Sequence, residues 1–177
     1  ELYKTDGTTV TLLPGSGNGG SLPTQIVDSG GTAFFRANNG ASGFELFSSG
    51  STSGSTRLVR DVLTGSGDAL PDDLDETPVN LNGTVFFIAD DGSSGSELWK
   101  TNGTVQGTSR VRDIRSGSGG SSVDNLTALN DVVVFRANGG NGLRLWKSDG
   151  TFEGTVEVTN FTPHNLTNVN GTLYFTG

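Results

Sequence analysis

The residues best equipped for chemistry are the carboxylates of Asp90-Asp91-Gly92-Ser93-Ser94-Gly95-Ser96-Glu97. Hard cations take several oxygens at once, from carboxylates and from backbone carbonyls that glycines leave accessible. The loop therefore nominates Asp90 and Asp91 as calcium ligands. Its spacing does not match the twelve-residue EF-hand loop. The corresponding stretches Asn38-Asn39-Gly40-Ala41 and Asn138-Gly139-Gly140-Asn141 carry no equivalent acids. A solvated loop that keeps the chain soluble is the commoner role for such a run. The same two readings apply to Asp72-Asp73-Leu74-Asp75-Glu76.

Other chemistry is thinly represented. The lone His164 follows Pro163, no Gly-x-Ser-x-Gly elbow accompanies it, and there is no Cys to hold a zinc ion or form a disulfide. Two carboxylates for glycoside hydrolysis need only meet in space, but no spacing here points to a pair. The expectation is a non-enzymatic chain with no cofactor other than the calcium just considered. Trp99, Trp146, Tyr3 and Phe47 each follow a Leu and could stack on sugars; packing in a core is the more frequent use of such rings. Asp6, Asn102 and Asp149 precede Gly and are expected to bond their own turn backbone. Asp61, Asp113 and Asn160 recur together and read as bracing groups at a strand end. Six Asn-x-Thr sequons occur, at Asn82, Asn102, Asn125, Asn160, Asn165 and Asn170. They are acceptors if the source is eukaryotic and secreted. A hairpin Asn-Gly followed by a β-favouring Thr also creates the pattern by itself, at Asn82 and Asn170.

These residues hang on a recurring frame. Leu-aromatic pairs stand at Leu2-Tyr3, Leu46-Phe47, Leu98-Trp99 and Leu145-Trp146, at steps of 44, 52 and 47 residues. Ahead of the later pairs lie Thr32–Ala37, Thr84–Ala89 and Val132–Ala137, and a fourth such run, Thr172–Gly177, ends the chain. Each run follows a two-residue turn: Gly30-Gly31, Asn82-Gly83, Asn130-Asp131 or Asn170-Gly171. Asn-Gly between apolar runs marks a hairpin, because both residues tolerate positive φ. Period-2 alternation puts Phe35, Phe87, Phe135 and Phe175 at equivalent positions on one face. Phe34, Phe86, Val134 and Tyr174 take the other face, so both faces of each sheet are expected to be covered. Fourth strands are read over Leu58–Val62, Arg110–Ile114 and Val156–Phe161, and in the first copy over Val10–Leu13. No helical periodicity appears.

Composition agrees. Gly is 28 of 177 residues, about twice its average usage, and hydrophobic residues are 32%. Short strands joined by glycine-rich turns fit both numbers, and regularly spaced Phe, Trp and Leu argue against disorder. The net charge is -8 and the pI near 4.4, which disfavours nucleic acid as a partner. No run of about 18 apolar residues exists to span a membrane as a helix. The chain lacks Met even at position 1, which suggests processing or an excerpt of something longer.

Thr84 to Thr104 and Val132 to Thr155, with the hairpin, the Leu-Trp-Lys strand, the Asn/Asp-Gly-Thr turn and the following Gly107-Thr108 and Gly154-Thr155, resemble the Glu-Leu-Trp-x-x-Asp-Gly-Thr repeat of large secreted or surface-exposed bacterial proteins. The resemblance covers essentially the whole chain. Copy two departs from it at Ser48-Ser49-Gly50-Ser51-Thr52, and copy one lacks the second Gly-Thr. It implies an extracellular or cell-surface, adhesive or scaffolding array with protein or glycan partners and possible self-association, and supplies no catalytic residues.

The expected fold is all-β: a single domain over 1-177, a β-propeller of four blades with four antiparallel strands each. Blade equivalents fall at about 22-63, 75-114, 123-162, and 163-177 plus 1-14. The last would be closed by Glu1-to-Lys4 pairing with Thr172-to-Thr176, which leaves no raw edge. Pairing with the next chain would give a filament instead. The alternative function is a carbohydrate- or calcium-dependent, lectin-like propeller.

Overall fold

The computed structural model describes residues 1–13, 22–52, 54–72 and 76–177. It is all-β and antiparallel, and no helix occurs among the described residues. Accordingly, none of them forms a helix long and apolar enough to cross a membrane. Asp73, Leu74 and Asp75 of the second acidic run lie outside the described residues.

Among the described residues, sixteen strands fall into five sheets. β1 (Leu2–Thr5) pairs with β2 (Val10–Leu13). β3 (Thr24–Ser29), β4 (Thr32–Asn38), β5 (Phe44–Ser49) and β6 (Arg57–Leu58) form the first four-stranded sheet, in that order. β7 (Val79–Leu81), β8 (Thr84–Asp90), β9 (Ser96–Thr101) and β10 (Ser109–Arg110) form the second. β11 (Asp124–Leu129), β12 (Val132–Asn138), β13 (Leu143–Ser148) and β14 (Val156–Glu157) form the third. β15 (His164–Val169) pairs with β16 (Thr172–Thr176).

Local chemistry accounts for the hairpins. Asn82 and Gly83 sit at φ 51° and 86°, and Asn170 and Gly171 at 50° and 81°. Side chains from the first strand staple the turns: Gly83 N donates to Asn80 Oδ1 at 3.0 Å, and Gly171 N to Asn168 Oδ1 at 2.9 Å. The first strands also carry bulges, between Thr24 and Val27, Asp124 and Thr127, and His164 and Thr167. Gln25, Asn125 and Asn165 occupy these bulges at positive φ, which Asn adopts more readily than most residues.

The sheets pack face to face in chain order. Leu2 and Leu13 of the first pair bury against Phe35, Ala37 and Phe47. Phe34, Leu46, Val59 and Val62 meet Val85, Phe87, Ala89 and Trp99. Phe86, Ile88, Leu98, Val111 and Ile114 meet Val133, Phe135, Ala137 and Trp146. In each third strand Leu46 and Leu98 point to the following sheet, while Phe47, Trp99 and Trp146 point to the preceding one. That is the pleat of a strand covered on both faces. Full burial of one such side chain contributes about 1.5–3 kcal/mol.

Three expectations are corrected. The terminal strands do not form one sheet: among the described residues β1 pairs only with β2, and β16 only with β15. Principal contacts between first strands run from β3 to β7 to β11 to β15, and these steps do not return β16 to β1. Hence Phe175 is not a core residue like Phe35, Phe87 and Phe135; it is 37% exposed against at most 1%, and stacks on Phe161 at 6.2 Å. Finally, the fourth strands after β5, β9 and β13 shrink to two residues each. After β6 and β10 the chain leaves the ladder for a glycine- and serine-rich loop that folds back over the sheet edge, where Ala69 N and Leu70 N donate to the Phe44 carbonyl and Ser121 N to the Ser96 carbonyl.

Candidate functional site

The acidic loop nominated for calcium is a tight turn between β8 and β9. Asp91 Oδ1 accepts from Ser93 N at 2.9 Å, Ser94 N at 2.9 Å, and the hydroxyls of Ser93 at 2.8 Å and Ser94 at 2.7 Å. Its other oxygen faces Arg110 Nη1 at 3.3 Å. Despite the opposing cost of partial desolvation, these donors hold the Asp91 carboxyl well below the usual range. Asp90 Oδ1 accepts from Gly92 N at 2.7 Å and borders an open cleft of about 400 Å³ whose other walls include Ile88, Ser96 and Val123. Among the described residues, no group of three or more His, Asp or Glu side chains is placed to hold a metal ion. The described part of the second acidic run contributes Asp72, which pairs with the buried Arg36 at 3.1 Å.

The aromatic candidates divide. Phe47, Trp99 and Trp146 are buried and pack against neighbouring sheets. Tyr3 occupies the same motif position and is 56% exposed.

The turn residues are engaged locally. Asp6 Oδ1 accepts from Thr8 N and Thr9 N, both at 2.8 Å. Asn102 Oδ1 accepts from Thr104 N at 3.1 Å, and Asp149 Oδ1 from Thr151 N at 2.8 Å. Hydrogen bonds from Thr151 lower the Asp149 carboxyl's pKa. The sequon asparagines occupy two kinds of local structure besides Asn102 and the exposed Asn160. Asn82 and Asn170 are hairpin turns; Asn125 and Asn165 are the bulges, followed by Thr127 and Thr167 whose hydroxyls bond back to the Asn carbonyls at 3.3 and 3.2 Å. His164 Nδ1 lies 3.3 Å from Arg136 Nη1.

The unusual groups are two glutamates: Glu45, which sequence reasoning passed over, and Glu97, which it placed at the end of the acidic loop. Glu45 and Glu97 have no solvent exposure. Glu45 Oε1 accepts from Leu63 N at 3.1 Å. Glu97 Oε2 accepts from Ile114 N at 3.2 Å and from the Ser121 hydroxyl at 2.6 Å. Each glutamate thus pins the loop that follows the short fourth strand. Burial pushes the Glu45 carboxyl up to about 7, against opposing bonds from the Leu63 and Val62 backbone, with Asp61 raising it further. Burial likewise raises Glu97, with Asp113 adding to it. Glu45 Oε2, Asp61 Oδ1, Glu97 Oε1 and Asp113 Oδ1 are buried without hydrogen-bond partners among the described residues. The signal available in the sequence was the Glu two residues ahead of Phe47 and of Trp99, on the face that pleating shares with it; Arg144 holds that place ahead of Trp146.

Cations bridge consecutive sheets. Arg60 Nη1 donates to the Thr108 carbonyl and Arg112 Nη1 to the Thr155 carbonyl, each at 2.7 Å. Lys100 Nζ donates to the Gly150 carbonyl at 2.7 Å, and Lys4 Nζ to the Ser51 carbonyl. Beneath the same turns, Phe34 and Phe86 reach towards Gly103 and Gly150, where an added Cβ would stand 3.1 Å from a ring carbon.

No family model, curated protein or solved structure matches this chain.

Proposed function

We propose that this chain is a non-enzymatic structural or interaction module of an extracellular or cell-surface protein, built as a propeller-type row of sheets like the Glu-Leu-Trp-x-x-Asp-Gly-Thr repeats it resembles. The observation that supports this most is the use made of the motif's own polar residues. Glu97, Thr101, Asn102, Thr104 and Thr108 spend side-chain hydrogen bonds on the adjoining loop, the turn, or one another. Lys100 spends its own on the next sheet. Side chains committed in this way brace a scaffold and present a surface; they are not poised for turnover. An acidic chain of this kind would meet protein or glycan surfaces rather than nucleic acid.

The test is a glycan array probed with and without a chelator, in parallel with the Asp90→Asn/Asp91→Asn variant. The expected result is no calcium-dependent glycan binding. Chelator-sensitive binding that disappears in the variant would replace this reading with a calcium-dependent lectin.

A further inference from the structure

The first and second four-stranded sheets bury the same pair of acids. Val59 N and Val111 N donate to the carbonyls of Leu46 and Leu98, each at 2.9 Å, as Val158 N does to that of Leu145 at 2.7 Å. These bonds align the chain after each third strand, so Asp61, Asp113 and Asn160 hold one structural position two residues on. Glu45, Glu97 and Arg144 hold another, immediately ahead of the aligned Leu. In the first two sheets these positions meet. Leu63 N donates to Glu45 Oε1 at 3.1 Å and Ile114 N to Glu97 Oε2 at 3.2 Å, so each glutamate reaches the backbone just beyond the aspartate.

One oxygen of each glutamate is thereby occupied, and the Ser121 hydroxyl adds a bond of 2.6 Å to Glu97 Oε2. The other oxygen is idle. Both glutamates have no solvent exposure, yet Glu45 Oε2 and Glu97 Oε1 have no hydrogen-bond partner among the described residues. Asp61 Oδ1 and Asp113 Oδ1 are buried and without a partner in the same way. Among the described residues, no Lys or Arg forms an ion pair with Glu45, Asp61 or Glu97. Arg110 Nη2 stands 4.0 Å from Asp113 Oδ2, and the same guanidinium gives Nη1 to Asp91 at 3.3 Å.

A buried carboxylate without a partner is costly, and a second one beside it adds repulsion. Burial raises both glutamate carboxyls, and the adjacent Asp61 and Asp113 charges raise them further. A proton on the glutamate relieves this, but the donors on its other oxygen favour the carboxylate form. The same donors fix the side chain, as hydrogen bonds to the outer oxygen orient a carboxylate that holds a metal. A hard cation relieves the repulsion completely, because it takes oxygens from both groups at once. The third sheet solves the problem within the chain. There Arg144 replaces the glutamate and pairs with Glu157 at 2.7 Å, and Asn160 replaces the aspartate. Where both acids are gone, a fixed positive charge stands in their place.

We propose that Glu45 with Asp61, and Glu97 with Asp113, each bind one calcium ion through their unpartnered oxygens, with water and loop carbonyls completing the shell. Calcium accepts an irregular set of oxygens, whereas magnesium demands a near-ideal octahedron. Asp61 and Asp113 are only half-buried, so the ion enters past them. Each ion ties the start of a third strand to the loop that folds back over it, and its role is structural. The sites use neither Asp90 nor Asp91 and need no glycan, so they stand or fall independently of the interaction module proposed above.

The experiment is calorimetric titration of the chelator-stripped 177-residue chain with calcium chloride, alongside Asp61→Asn, Asp113→Asn, the double variant and Asp90→Asn. The wild type and Asp90→Asn should each bind two ions per chain, either single variant at Asp61 or Asp113 one, and the double variant none. Calcium should also raise the melting temperature of the wild type and leave that of the double variant unchanged. A wild type that binds nothing at millimolar calcium, a stoichiometry other than two, or ions retained by a folded double variant would each overturn the proposal. Circular dichroism checks that every variant keeps its β-sheet signal. Should an Asn variant unfold, terbium luminescence of the wild type decides. Trp99 lies two residues from Glu97 in β9 and shares a cluster with Val62, so indole excitation should sensitise terbium bound at either site, and calcium should displace it. Absent emission, or emission that calcium does not reduce, would overturn the proposal equally.

Discussion

The Thr108 hydroxyl lies 2.7 Å from Thr101 Oγ1, both buried, across the turn that joins β9 to β10. The same Thr108 hydroxyl is 2.7 Å from the Thr104 carbonyl. In the next sheet Thr155 stands in the same relation to Ser148, at 2.8 Å, and to the Thr151 carbonyl, at 2.6 Å. The second Gly-Thr of the motif is therefore a lock: its hydroxyl ties the end of the turn to the end of the third strand. Replacing Thr108 by Val keeps the shape, strands the Thr104 carbonyl and leaves the Thr101 hydroxyl proton without its acceptor, while Thr101 Oγ1 still accepts from Gly103 N at 2.9 Å. We expect a loss of about 1–3 kcal/mol, read by chemical denaturation, with Thr108→Ser losing less.

The buried glutamates set a pH dependence. The Glu45 carboxyl is raised from 4.5 to about 7 by burial, so the folded chain holds that proton more tightly than the unfolded one. Its contribution is fully present below about pH 4.5 and is lost as pH rises through about 7. Glu97 is raised by the same cause and acts in the same direction. Asp91 is lowered; its contribution is lost only as pH falls well into the acid range, outside this window. The melting temperature should therefore fall between pH 5 and pH 8, and fall less in Glu45→Gln. An equal fall in parent and variant would show that Glu45 is not responsible.

Ring deletions should separate the interior from the end of the row. Phe87 is 1% exposed and its ring centroid is 6.4 Å from that of Trp99. Phe87→Ala should cost about 3–5 kcal/mol from lost burial and a residual cavity. Phe175→Ala should cost much less, because that ring is 37% exposed and stacked on the half-exposed Phe161. Comparable losses at the two sites, measured by urea unfolding, would mean that β16 is covered after all.

Two glycines differ in what surrounds them. Gly83 has φ 86° and open space around an added Cβ, so Gly83→Val meets only backbone strain, about 1–2 kcal/mol. Gly150 has φ 88° and the Phe86 ring 3.1 Å from an added Cβ. Gly150→Ala should therefore show the strain and also disturb the contact between the second and third four-stranded sheets. Amide hydrogen exchange should detect this as faster exchange in β8 and β9, which Gly83→Val leaves largely unchanged.

The local features were legible in the sequence because their causes are local. Asn82-Gly83 and Asn170-Gly171 turn because those residues accept positive φ wherever they stand, and Phe34 and Phe35 face opposite ways because a strand alternates. What lies across a sheet is a different matter. Tyr3 and Trp99 occupy the same motif position, yet one is 56% exposed and the other 5%, because a neighbouring sheet covers only the second. Glu97 is the last acid of a loop in the sequence, and only the fold shows Ile114 and Ser121 folding back over it. The bulges at Asn125 and Asn165, the two-residue fourth strands, and the separation of β1 from β16 likewise come from how whole sheets settle against one another. Period and turn chemistry fix the faces a strand presents; the partner for each face is chosen by the summed packing of residues far apart in the chain.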